Sequence, residues 1–196
     1  AMFVALKGEF RNGHDFIQEA FNKGIRVFLV ETGFQINLAE CQNACFLVVD
    51  SPLKALQKLA QTHRKQYSFP VVGITGSNGK TVVKEWLYAL LKNNFNICRS
   101  PKSYNSQIGV PLSVLLMQEN FDLAIFEAGI SQPNEMKKLA EILSPEIGIL
   151  TNIGDAHQEN FISIQQKIQE KLQLFRKSKK LIFNADNNIA TNEVEN

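Results

Sequence analysis

The β-forming run Val71-Val72-Gly73-Ile74-Thr75 stops abruptly at Gly76-Ser77-Asn78-Gly79, and Lys80-Thr81 then opens a segment with helical spacing through Leu87. Few architectures accommodate that succession. Two glycines within four residues let the backbone turn sharply and approach a ligand closely. A helix starting directly after them aims free backbone N–H groups and the positive end of its dipole at whatever lies in front. Lys80 can reach a terminal phosphate and the Thr81 hydroxyl can ligate magnesium, so Thr75–Thr81 reads as a phosphate loop for a nucleoside triphosphate. The pattern departs from the usual G-x-x-x-x-G-K-[ST], because its first glycine would have to stand at Ile74 and Gly73 comes one residue early. A Gly-Lys-Thr tripeptide alone is commonly just a helix start. The preceding strand, paired glycines and following helix favour phosphate binding.

Such a loop needs a sheet behind it, and short apolar runs alternate with amphipathic segments along the whole chain, the α/β signature. Met2–Leu6 and Ile25–Glu31 read as strands around a helix from about Asp15 to Lys23, which Gly24 closes. Cys45–Asp50 is a third strand, and Ser51-Pro52 form an N-cap and first-turn pair for a helix through about Lys65. Ser68–Pro70 reads as a connector. The expected organisation is a small N-terminal α/β domain over 1–69 and a phosphate-loop domain over 70–196. Further strands are expected at Asn96–Ser100, Asp122–Gly129, Glu146–Asn152 and Lys180–Asp186. Helices near Lys80–Lys92, Gln107–Met117, Asn134–Leu143 and Ile162–Lys177 separate them, which predicts a largely parallel sheet.

Ligands of such a sheet belong at the carboxyl ends of its strands. There Glu127 closes one strand, placed to hold a magnesium ion that bridges phosphate oxygens, and His157 follows another. Without the loop, each reads equally well as a solvated strand end or loop residue.

Composition narrows the rest. A formal charge of +2 over 196 residues, with a pI near 8.4, is too mild for a nucleic-acid footprint. No apolar run approaches the roughly 20 residues needed to cross a bilayer, and no leader pattern opens the chain. No membrane insertion and a cytoplasmic setting are expected. Cys41, Cys45 and Cys98 are expected as buried, reduced thiols, since no neighbouring pair completes a zinc site.

Several separated motifs, in order, resemble the Mur ligase family of ATP-dependent amide-forming enzymes in peptidoglycan synthesis. They are TGSNGKT at Thr75–Thr81 with TVVKEWL after it, YNSQIGVPLSVL at Tyr104–Leu115, EAGISQPNEM at Glu127–Met136 and NIGDAHQENF at Asn152–Phe161. The segment FVALKGEFRNGHDFIQEAF is similar to the family's uridine-binding domain. The likeness is greatest to the branch that joins D-alanyl-D-alanine to UDP-N-acetylmuramoyl-tripeptide. The MurE branch usually carries Ser-Ser-His where this chain has Gly129-Ile130-Ser131-Gln132.

The resemblance implies that residues Thr75, Gly76, Ser77, Asn78, Gly79, Lys80 and Thr81 bind ATP. It implies one magnesium on Thr81 and Glu127 and a second on His157 and a carbamylated Lys171, with Lys80, His157 and Lys171 as the catalytic set. Without the resemblance, Lys171 would be a solvated helix residue. Asn105 and Ser106 fall near substrate or phosphates, Ser106 standing where many relatives have a second Asn. His14, Asp15 and Phe16 are candidates near the uridine. Their alternative is a helix start, with Asp15 as cap and Phe16 in the core. The family's enzymes carry a longer central domain and a C-terminal third domain, so the chain is expected to be a piece that makes no amide bond alone. Rival readings are another amide ligase, of MurE, folate-chain or cyanophycin type, and a nucleotide-dependent binding module, which would need only the loop.

Overall fold

The computed structural model describes residues 1–35, 40–154, 160–186 and 188–195, which separate into two compact units, Ala1–Lys58 and Leu59–Asn196. The division falls inside a helix, ahead of the Ser68–Pro70 connector. In the first unit, β1 (Met2–Val4), β2 (Val27–Glu31) and β3 (Cys45–Val49) form a parallel sheet in that order. Between β1 and β2 run a 3-10 turn, Gly13–Phe16, and α1 (Ile17–Asn22). Gly24 ends the helix as expected, at φ 92° with its N–H on Phe21 O at 2.9 Å. Ile17, Ala20, Phe28, Val30 and Cys41 form this unit's core. Cys41 and Cys98 are buried thiols, whereas Cys45 is exposed, contrary to expectation, at the start of β3.

α2 (Pro52–Arg64) begins with the Ser51 hydroxyl accepting from Lys54 N–H at 3.3 Å, the expected cap. Its last turns belong to the second unit, where buried Arg64 donates to Leu143 O at 3.1 Å and Tyr67 O at 2.7 Å.

The larger unit is built on five parallel strands: β4 (Val71–Thr75), β5 (Ile97–Arg99), β6 (Leu123–Glu127), β7 (Ile147–Leu150) and β8 (Lys180–Phe183). Their spatial order, β5-β6-β4-β7-β8, puts β4 in the centre. From β4 the chain builds toward one edge through β6 and then toward the other through β7. The switch point therefore opens at the carboxyl end of β4, where the Gly76–Gly79 loop begins. α3 (Lys80–Leu91) covers one face, with Val83, Leu87, Tyr88 and Leu91 packed on Val72, Ile74 and Ile125. α4 (Gly109–Val114) and α5 (Glu135–Leu143) pack on the other, where Val110, Val114, Leu139 and Leu143 join Val71 and Phe126. β4 and β6 are thus buried on both faces, as parallel strands between helix layers must be.

The helix expected over Ile162–Lys177 is shorter. α6 (Ile164–Leu172) tightens into a 3-10 turn, Gln173–Phe175, that presses Leu174 and Phe175 into the core. α7 (Asn188–Glu195) follows β8 and was not foreseen. Among the described residues no helix is long and apolar enough to cross a membrane.

Close packing explains two strand glycines. A Cβ on Gly73 would meet Pro145 Cβ at 2.9 Å, so this glycine serves packing against Pro145. A Cβ on Gly148 would lie 2.4 Å from the buried Phe175 ring. Gly148→Ala is therefore expected to destabilise the fold by about 1–3 kcal/mol through overpacking, read as a lower urea midpoint with an unchanged m-value.

Candidate nucleotide and metal site

The carboxyl ends of β6, β4 and β7 lie side by side, with Glu127 paired to Ile74 and Thr75 to Leu150. At the centre, Thr75 donates its buried hydroxyl to Ala128 O at 2.8 Å. The chain then leaves the sheet through Gly76 at φ 150° and enters α3 through Gly79 at φ 82°. A Cβ at Gly76 would fall 2.0 Å from Thr151 Oγ1, so a larger residue is excluded there. No side chain caps the start of α3. Its first N–H groups and dipole face the loop, which is the arrangement that binds phosphate.

The loop is clasped from β7. Ser77 N–H donates to Asn152 O at 2.7 Å, Asn78 N–H to Asn152 Oδ1 at 3.3 Å, and Thr151 Oγ1 to Asn78 O at 2.6 Å. Ser77 Oγ also donates to Gly154 O at 3.0 Å. Thr151 and Asn152 thereby join the site without having been singled out from the sequence. Their position at a strand end was the available signal.

Cationic groups converge on the same loop. Lys80 Nζ donates to Gly76 O at 2.8 Å and Ser77 O at 3.3 Å, and Lys171 Nζ reaches Gly76 O at 3.2 Å. Lys167 Nζ donates to Gly154 O. Lys171 is not the solvated residue its sequence context alone suggested but is 3% exposed. Burial, with the charges of Lys80 and Lys167 added, pushes its ammonium down from 10.5 to about 7. Burial also lowers Lys80, against the opposing pull of Glu127.

Glu127 is fully buried, yet its carboxylate is well supplied with donors. Thr81 Oγ1 lies 2.9 Å from Oε2 and 3.2 Å from Oε1, Lys84 Nζ 3.2 Å from Oε1, and Asn105 Nδ2 3.4 Å from Oε2. Ser103 Oγ is 3.2 Å from Thr81 Oγ1. Thr81 and Glu127 therefore offer adjacent hard oxygen donors. This fits magnesium, which keeps several waters and shares phosphate oxygens rather than needing a closed protein cage. Among the described residues no group of three His, Cys, Asp or Glu side chains forms a metal cluster. His157 lies outside the described residues.

The remaining candidates divide. Asn105 stands in the site, whereas the Ser106 hydroxyl accepts from Gly109 N–H at 3.1 Å at the entry to α4. In the other unit, His14 is buried with Nδ1 2.8 Å from Asn12 Oδ1 and Nε2 accepting from Glu31 N–H at 3.0 Å. Its ring sits 4.6 Å from that of Phe34, so both ring nitrogens and one ring face have partners within the chain. The side chain that caps this 3-10 turn is Asn12 rather than Asp15, and Phe16 is exposed rather than in the core.

The depressed Lys171 ammonium has a measurable consequence. Between about pH 7 and 10.5 the unfolded chain holds a proton that folded Lys171 has released, so this group makes stability rise with pH across that window. In buffer free of carbon dioxide, the urea midpoint of Lys171→Met should lack that share of the rise, its advantage over the parent shrinking from pH 7 upward.

Residues 74–196 match the Mur ligase middle domain. Among curated proteins, the chain is 35% identical to UDP-N-acetylmuramoyl-tripeptide--D-alanyl-D-alanine ligase of Bacillus subtilis, over 88% of this chain and 37% of that protein. It is 34% identical to the enzyme of the same name from Escherichia coli, over 95% and 41%. Among solved structures, MurF ligase from Thermotoga maritima in complex with ADP aligns at TM-score 0.85 and 33% identity, covering 99% of this chain and 45% of that one. MurF from Acinetobacter baumannii aligns at TM-score 0.85 and 25% identity, over 99% and 43%. The chain thus spans about two fifths of the length of the curated relatives it matches.

Proposed function

The chain belongs to the Mur ligase family, and on that premise we propose that it carries the nucleotide and metal machinery of an ATP-dependent ligase. The ligase joins D-alanyl-D-alanine to UDP-N-acetylmuramoyl-tripeptide in peptidoglycan synthesis. One observation carries the reading: the loop Gly76–Lys80 and the Thr81–Glu127 pair meet at the switch point of a single parallel sheet. The ADP bound by the Thermotoga maritima relative supports the choice of nucleotide.

The proposed reaction has two steps. The tripeptide carboxylate attacks the γ-phosphorus of ATP, the bond to ADP breaks, and an acyl phosphate forms. The amine of D-alanyl-D-alanine then attacks the acyl carbon, loses a proton and expels inorganic phosphate. The loop's backbone N–H groups and the Lys80 ammonium hold and orient the phosphates, and their fixed positive charge favours the transferred group as its charge redistributes. Magnesium held by Thr81 and Glu127 would supply further charge neutralisation on the phosphoryl oxygens. Asn105, beside Glu127, is placed to meet substrate or phosphate oxygens.

Lys171 fits the proposed carbamate. An amine whose proton leaves at about pH 7 has a free lone pair near neutrality. It can attack carbon dioxide, forming a nitrogen–carbon bond and releasing a proton. The charges of Lys80 and Lys167 that disfavour the ammonium favour the resulting anion, and carbamate oxygens, with His157, suit a second magnesium. Burial of Lys167 and Lys171 one helical turn apart on α6 supports this assignment.

The experiment is calorimetric titration of nucleotide with and without magnesium. Lys80→Ala should weaken ATP binding by at least about tenfold, roughly 1.4 kcal/mol, with the circular dichroism spectrum retained. Glu127→Gln should lose magnesium-dependent tightening while keeping the metal-free affinity. Unchanged affinity in the first variant, or equal losses with and without metal in the second, would refute the site. Stabilisation by UDP-N-acetylmuramoyl-tripeptide, but not by an unrelated peptide, separates the ligase from a simple nucleotide-binding module. Full activity of Lys171→Arg in the complete enzyme would rule out the carbamate.

A further inference from the structure

Lys84 stands one turn beyond Lys80 on α3, on a helix whose neighbouring inward positions, Val83, Leu87 and Leu91, are apolar. It is fully buried, so its ammonium cannot touch a ligand as the site stands. Its Nζ donates to Ser100 O at 2.9 Å, to Lys102 O and to Glu127 Oε1 at 3.2 Å, and Glu85 Oε1 lies 3.3 Å away. An ammonium has three N–H bonds, and the first three partners account for them.

The segment between β5 and α4 is shaped around this group. Lys102 adopts φ 48°, the left-handed region that non-glycine residues avoid, and its carbonyl meets the ammonium. The same segment supplies Ser100 Oγ, which accepts from Glu127 N–H at 3.3 Å, Ser103 Oγ beside Thr81, and Asn105 beside Glu127 Oε2. One buried cation therefore fastens together α3, the 100–105 segment and the end of β6.

We propose that Lys84 is a positioning residue for the magnesium carboxylate. It engages Glu127 Oε1 and offsets the buried charge, which leaves Oε2, 2.9 Å from the Thr81 hydroxyl, as the oxygen presented to the metal. It also holds Asn105 and Ser103 in register with that oxygen. The inference rests on the reading of Thr81 and Glu127 as magnesium ligands; Lys84 lies within the TVVKEWL stretch that follows the loop, and the sequence reading gave it no role.

ADP titrations with and without magnesium test it on the 196-residue chain, together with thermal denaturation. The unmodified chain should bind ADP more tightly with magnesium. Lys84→Met should keep its metal-free affinity within about threefold and lose about tenfold or more in the magnesium-dependent part, the scale expected when a metal ligand loses its supporting partner. Lys84→Met/Glu127→Gln should regain thermal stability lost in the single variant, because no unpaired carboxylate is left buried. A full magnesium increment in Lys84→Met, or a double variant no more stable than the single, overturns the proposal. Absence of any magnesium increment in the unmodified chain overturns the underlying metal reading instead. If Lys84→Met does not fold, the ammonium NMR signal of the unmodified chain, labelled with 15N-lysine, decides. A slowly exchanging Lys84 signal that persists when magnesium and ADP are added supports the proposal, and its absence or its loss on adding magnesium refutes it.

Discussion

A carboxylate with no solvent exposure is tolerated only where donors replace its water, because the uncompensated cost of burying such a charge is several kcal/mol. Glu127 meets that condition with donors from two places, Thr81 and Lys84 on α3 and Asn105 before α4, while its own backbone N–H donates to Ser100 Oγ. Each of those residues is fixed in turn by the requirement. α3 must start where Thr81 can reach β6, and the 100–105 segment must fold back so that its carbonyls meet Lys84. The geometry of the site follows from satisfying one buried charge.

The phosphate loop obeys a second constraint, close approach. Gly76 passes so near Thr151 that no side chain fits, and the backbone of Ser77 and Asn78 is held by Asn152. A loop held in this way has its N–H groups oriented before a ligand arrives, so less ordering entropy is lost on binding. In the proposed site, the end of β7 acts through residues that hold the loop and need never touch the nucleotide.

Positive charge gathers in pairs one helical turn apart: Lys80 with Lys84 on α3, and Lys167 with Lys171 on α6. The members have different surroundings. Lys84 has a carboxylate, Lys80 and Lys171 share the Gly76 carbonyl, and burial, with the crowding of like charge added, depresses Lys171. A fixed cation such as Lys80 beside the Gly76–Gly79 loop is electrostatically costly until an anion arrives, which turns that cost into affinity for the anion.

Much of this was legible in the sequence. Alternating apolar runs predicted parallel sheets, the β-run followed by Gly76-Ser77-Asn78-Gly79-Lys80-Thr81 located the loop, and a carboxylate ending the apolar run of β6 marked Glu127. Those features are local, because backbone geometry and strand burial are encoded within a few residues. Lys84 and Lys167 were not legible: a lysine on a helix reads as solvated, and only packing shows which are enclosed by carbonyls and carboxylates. Nor did the sequence distinguish Gly73, set by Pro145, from Gly76, set by Thr151, or show that the nitrogens of His14 have partners within the chain. Each of these depends on contacts between residues distant in the chain. The sequence by itself determined most of the element types and the position of the loop, while tertiary packing decided strand order and which charges are buried, because enclosure and charge pairing depend on neighbours that only folding brings together.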